Sequence, residues 1–226
     1  MDRVENRIEL RLMAVMKKAP PRLVLLTGFG PFPGVERNAS GLLVRKLAAA
    51  AKQRFEEYRF ETAILATHWE TGPAALAAVQ TSRNHLLALH FGVSRQARGF
   101  VIETVGRNER RDAEDAAGCR PQSSCISENG PARLFTPLPA TGIVARLTVA
   151  GLAATTSDDA GGYLCNAIFY QSLTHSLAQN GASRAGFIHI PADLGEPGAE
   201  LSMDDGVRGG LEILAACLDQ LGRVDT

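Results

Sequence analysis

The sequence has no charge of one sign to spare. Lysine plus arginine and aspartate plus glutamate number 24 each, so the formal net charge is zero. Gripping nucleic acid or an anionic membrane through bulk charge takes a basic excess, and neither partner is expected. Cysteine is scarce: only Cys119, Cys125, Cys165 and Cys217 occur in 226 residues. That is no disulfide framework, and reduced thiols in a cytoplasmic protein follow as the simplest expectation. Cys119 and Cys125 lack the C-x-x-C spacing of a zinc site and have no histidine pair beside them, so no metal is expected. No apolar run is long enough to span a bilayer. None within residues 1–20 has the length of a signal peptide, and export is not expected. Residues 1–20 read as an extension, either a short extra helix or a stretch before a natural start at Met13 or Met16. Residues 21–226 read as one domain, with no linker, repeat or low-complexity tract.

What is present is ordinary for a globular protein, with 45% hydrophobic and 21% charged residues. Continuous apolar runs at Arg22–Gly30, His85–Val93 and Arg184–Pro191 fit central strands covered on both faces. Tyr58–Ala66 and LAATTS read as further strands, and GFVIETVG (Gly99–Gly106) alternates like a half-exposed one. Ser40 is the expected N-cap of a helix to about Glu57, and Thr71 that of a helix through Val79. Further helices are expected from Thr141 to Ala150, after Cys165, and from Gly206 to Leu221 behind the capping signal at Ser202. The polar stretch from Asn108 to about Pro139 is long for a compact domain and reads as a functional loop or short hairpins. Strands and helices alternate throughout. The expectation is an α/β/α sandwich with a largely parallel, mixed sheet.

In such sheets functional groups gather beyond the strand ends. TGFGPF, Glu103, Cys165 and His189 stand at such places. Cys165, in GGYLCNAIFY, falls at the expected start of a helix. Unpaired N–H groups and the helix dipole there favour a thiolate. A buried structural cysteine is the other reading, since free cysteine is among the most buried residue types. A cysteine nucleophile needs a base and a group to orient it. His189 and Glu103 have the right chemistry, and residue types alone leave open whether they meet Cys165. His90 sits in an apolar strand and reads as a satisfied core histidine. His68, His85 and His175 have bland accounts at a strand end, a strand start and a helix face. Gly28 and Gly30 hint at a phosphate cradle, but TGFG lacks the dinucleotide fingerprint and the P-loop lysine.

Five segments, in order, carry a resemblance: TGFGPFPGVERNAS, HFGVSRQARGFVIETVGRN, NGPARLFTPLP, SDDAGGYLCNAIFY and AGFIHIP. They resemble the pyroglutamyl-peptidase I family of cysteine peptidases, also called pyrrolidone-carboxylate peptidases. The likeness spans about Arg22 to Leu221. It implies an α/β/α fold and a catalytic triad of Cys165, His189 and Glu103. It implies that Phe29 and Phe32 flank a flat lactam ring, with Asn38 and Leu164 as further substrate contacts. Arg110 or Arg111 would assist an oxyanion held by backbone N–H groups near Cys165. The implied substrate is a small peptide with N-terminal pyroglutamate, handled without cofactor or metal, by a homodimer or homotetramer. The chain departs from the family pattern at Pro33, Ala39, Thr104 and Gly106, changes that bear on substrate preference. The alternatives are the same triad acting on another N-acyl or cyclic amide, and a non-catalytic ligand-binding relative.

Overall fold

The computed structural model describes residues 22–32 and 34–222. The expected extension over residues 1–20 and the departure at Pro33 lie outside the described residues.

The run RLVLLTGF forms β1 (Arg22–Phe29), buried from Leu23 onward. Then come α1 (Ala39–Arg54), β2 (Tyr58–Leu65), α2 (Thr71–Ser82), β3 (His85–Ser94), β4 (Phe100–Glu103), β5 (Val105–Arg107) and β6 (Arg133–Phe135). The chain continues through α3 (Ala140–Val149), β7 (Ala154–Ser157), α4 (Leu164–Ala178), β8 (Arg184–Pro191) and α5 (Met203–Gly222). Six strands form one sheet in the order β2-β1-β3-β8-β4-β7. The first four of these are mutually parallel. β4 runs antiparallel to β8 and parallel to β7. The sheet is therefore mixed and largely parallel, as the alternation of elements predicts.

Strand parity divides the core into two layers. Val24, Leu26, Leu87, Leu89, Phe91, Ile188 and Ile190 pack with α1, α3 and α5. Leu25, Ala88, Ala185 and Phe187 pack with α2 and α4. Full burial of a leucine or phenylalanine contributes roughly 1.5–3 kcal/mol, so these two layers dominate the stability of the sheet. His90 lies wholly buried on the α4 side, joined to Thr27 Oγ1 at 2.7 Å and to Ser172 Oγ at 2.8 Å. Burial lowers its pKa to about 3, so it is a neutral, satisfied core histidine, as its apolar strand suggests.

Three local expectations are corrected. The cap of α1 is Asn38, whose Oδ1 accepts from the N–H of Ser40; Ser40 itself is the second helical residue, and its hydroxyl accepts from Phe29 N–H. No side chain caps α2, and Thr71 is its first residue. GFVIETVG is not one half-exposed strand. It divides at Thr104 into β4 in the main sheet and β5, which pairs with β6 in a separate two-stranded sheet. The cause is local: Thr104 directs both its N–H and its hydroxyl to Ser157 O at 2.7 Å, while Thr136 N–H donates to Thr104 O. The capping signal at Ser202 does start a helix. Ser202 Oγ accepts from Asp205 N–H, and α5 begins at Met203.

Candidate active site

Phe100 and Ile102 of β4 face α1, α3 and α5. By period 2, Val101 and Glu103 face the other way. Antiparallel pairing sets Val101 opposite His189 and Glu103 opposite Phe187. Glu103 is thereby the diagonal neighbour of His189 on the same face, within reach of a long side chain. His189 Nδ1 donates to Glu103 Oε1 at 2.7 Å. Both residues are buried, Glu103 to 2% exposure, and its second oxygen has no partner among the described residues.

Cys165 arrives from the opposite layer. It is the second residue of α4, whose start has no side-chain cap. The first N–H groups of that helix therefore have no intrahelical acceptor. The thiol points at the sheet, over Gly92 of β3, which lies beside His189 in register. A Cβ on residue 92 would stand 2.9 Å from Cys165 Sγ and 2.7 Å from the tip of the Phe187 ring. Only glycine leaves room there for the sulfur.

Charge ties the three groups together. Burial pulls the His189 pKa down. The neighbouring Cys165 and then Glu103 oppose it, and the net result is well above the ordinary 6.5. The arrangement favours the cationic form of His189, held between Glu103 and Cys165. Of the other thiols, Cys217 is fully buried and pushed up to about 12 by burial. Cys119 is exposed, and Cys125 is partly exposed near Ser123 Oγ.

A cavity of about 500 Å³ opens over the three groups, walled by Val93, Ala97, Val101, Asp159, Ala160 and Tyr163 among others. Part of its support comes from the long segment after Asn108, a loop tied by side chains that leads into β6. Asn108 Nδ2 donates to Ser127 O and Gly130 O, and its Oδ1 accepts from Ile126 and Ser127 N–H groups. Asp115 accepts from the N–H groups of Trp69, Ala117 and Cys119. Burial opposes its ionisation, yet these donors hold its carboxyl below the usual range. Tyr163 OH donates to Glu114 O, and its ring meets Trp69 edge-on at 5.1 Å.

Other expected contacts stand elsewhere. Phe29 is core, its ring 6.4 Å from Phe187, which in turn lies 4.9 Å from the His189 ring. Phe32 bridges to Val35 and is half-buried. Asn38 caps α1 and donates to Gly30 O, and Leu164 is buried in the core. Arg110 lines a different cavity, of about 530 Å³, with His68 and Trp69. Arg111 approaches through its backbone: its N–H donates to Gly162 O at 2.6 Å, just ahead of α4. None of these six lines the cavity over Cys165.

Sequence reasoning passed over Asn166. It is fully buried, its Oδ1 accepts from Arg107 N–H, and its Nδ2 donates to Arg107 O and Glu109 O. One side chain thus fastens β5 and the loop after it to the start of α4. The signal was available: an amide inside the apolar run LCNAIFY must be satisfied internally.

A sequence model described as pyroglutamyl peptidase matches residues 22–197. Pyroglutamyl-peptidase 1 of Rattus norvegicus is 29% identical over 89% of this chain and 93% of its own length. The pyrrolidone-carboxylate peptidase of Pseudomonas fluorescens is 35% identical over 75% of this chain and 78% of its own. Among solved structures, pyroglutamyl peptidase I of Bacillus amyloliquefaciens superposes with a TM-score of 0.77 at 28% identity, covering 87% of this chain and 97% of that one. A Pyrococcus furiosus pyrrolidone carboxyl peptidase shares the fold, with a TM-score of 0.79 at 24% identity.

Proposed function

The chain belongs to the pyroglutamyl peptidase family, and we propose that it hydrolyses the amide bond after an N-terminal pyroglutamyl residue as a cysteine exopeptidase. The observation that carries this reading is the 2.7 Å hydrogen bond from His189 to buried Glu103, next to a cysteine at an uncapped helix start.

Each group then has one task. The Cys165 thiolate attacks the pyroglutamyl carbonyl carbon. The oxygen that gains charge is met by free N–H groups at the start of α4, in a partly enclosed site where such donors act strongly. The imidazolium of His189 gives its proton to the departing amine, and a thioester remains. Neutral His189 then takes a proton from water, which attacks the thioester and releases pyroglutamate with the thiolate restored. Glu103 keeps the ring oriented and favours its cationic form. The lactam is assigned to the β1 side of Cys165, toward Phe29 and Phe32, as the family resemblance implies. Asn38 and Leu164 serve that side indirectly, by capping α1 and by seating the start of α4. A cytoplasmic homodimer or homotetramer is part of the same reading, to be checked by fractionation and light scattering.

The deciding experiment is hydrolysis of a fluorogenic pyroglutamyl amide beside a prolyl amide. Turnover of the first alone supports the reading; equal turnover, or none, removes it. One equivalent of iodoacetamide should alkylate Cys165 first and stop hydrolysis in step. Mass spectrometry that finds Cys119 or Cys125 modified first, with activity kept, would count against the thiol assignment. Gly92→Ala should displace the sulfur or the Phe187 ring. Misplacement of that order costs about 10²-fold in rate. Steady-state kinetics within threefold of the parent would mean the crowding is absorbed elsewhere.

A further inference from the structure

The cavity extends to only one side of Cys165. In the sheet order β1-β3-β8-β4-β7, the cysteine stands over Gly92 of β3, with His189 of β8 next to it. The end of β1, which bears Phe29, lies on one side. The cavity runs the other way, past Val101 of β4 to Ser157 at the end of β7 and the loop that follows. With the lactam on the β1 side, as the proposed function has it, the leaving peptide lies along the β7 side. What lines that side decides which peptides fit.

Beyond the Glu103–His189 pair, the charge on that side is negative. Glu103 is matched by His189. No lysine or arginine lines the cavity. Ser94, at the end of β3, and Gln96 and Ala97 of the loop after it line the cavity, while Arg95 lines a separate one with Glu36 and Asp193. The remaining ionised side chain is Asp159, which is exposed at the mouth. Its carboxylate is held in place: Oδ1 accepts from Gly161 N–H at 3.0 Å, and its own N–H donates to Ser157 Oγ at 3.0 Å. It forms no ion pair among the described residues. A fixed carboxylate without a cationic partner attracts a cation at little ordering cost.

We propose that Asp159 selects for a basic residue immediately after pyroglutamate and against an acidic one. This rests on the proposed function. A lysine or arginine side chain on the leaving residue meets the free oxygen of Asp159, whereas a glutamate or aspartate meets like charge.

The test compares kcat/KM for pyroglutamyl-lysine amide and pyroglutamyl-glutamate amide, both uncharged at the C-terminus. The parent should prefer the lysine peptide by roughly three- to tenfold, the range for exposed charge pairs of both signs taken together. High salt should shrink that ratio through screening. Asp159→Asn keeps an oxygen to accept from Gly161 N–H and removes the charge, so the ratio should fall to near one. Asp159→Lys should invert it. Asp158→Asn, an equal change of net charge at the exposed neighbour outside the cavity lining, should keep the parental ratio. A parental ratio near one, a ratio unmoved by Asp159→Asn and Asp159→Lys, or an equal change in Asp158→Asn overturns the proposal while a neutral pyroglutamyl amide is still hydrolysed. Failure of the parent on that neutral amide overturns the peptidase reading and this proposal together.

Discussion

Cys165→Ala is expected to lower kcat for a pyroglutamyl amide by about 10⁴-fold or more, because deleting the nucleophile of a concerted triad removes nearly all of what the triad contributes. The fold should persist. Cys165 is only partly buried, and the smaller alanine brings no new clash over Gly92. A change in melting temperature of a few degrees at most is expected for a substitution of this kind. A second readout separates loss of the Cys165–His189 coupling from general damage. Burial lowers the His189 pKa, and Cys165 is the first group that opposes it. Without Cys165 the His189 pKa should drop, and its imidazole NMR titration should move to lower pH in the variant. Activity within a hundredfold of the parent would show that another group is the nucleophile. An unmoved titration would show that Cys165 and His189 are not coupled.

The elements read most directly from sequence are those whose surroundings are uniform. β1, β3 and β8 are apolar on both faces, so an unbroken hydrophobic run suffices to identify them. The division of GFVIETVG was not legible, because period 2 continues across Thr104 while the hydrogen-bond partner changes from one sheet to another. The loop after Asn108 shows why polar stretches mislead. Asn108 and Asp115 organise it through backbone N–H groups distant in sequence, which composition cannot register. The candidate site was visible as residue types, but its geometry depends on β4 running antiparallel to β8. A parallel pairing would have given Glu103 a different diagonal neighbour. Resemblance supplied Cys165, His189 and Glu103 as a set. It supplied neither Gly92, whose missing side chain makes room for the sulfur, nor Asn166, which ties the start of α4 to β5.

Glu103→Gln should lower kcat/KM by roughly 10²–10⁴-fold while keeping the protein folded, by analogy with loss of the orienting carboxylate in other triads. Glutamine is nearly isosteric and still offers an oxygen to His189 Nδ1. What disappears is the negative charge that helps hold the imidazole cationic. The His189 pKa should fall, so the alkaline limb of the kcat/KM profile should move to lower pH. Stability follows with a definite sign. The folded pKa of His189 lies above its unfolded value of 6.5. The stabilisation this reports is fully present below pH 6.5 and is lost as pH rises through the folded value. Glu103 is one cause of the elevation, so the melting-temperature deficit of Glu103→Gln should be largest below pH 6.5 and shrink on the alkaline side. Part of the deficit should be independent of pH. Glu103 Oε2 has no partner among the described residues, and an amide NH₂ in its place gains none, at about 1–3 kcal/mol for an unmet buried donor. Thermal melts of parent and variant across the alkaline range, with pH–rate profiles, test both parts. A deficit that stays constant with pH, or an alkaline limb that does not move, would mean that Glu103 orients the ring without acting on its charge.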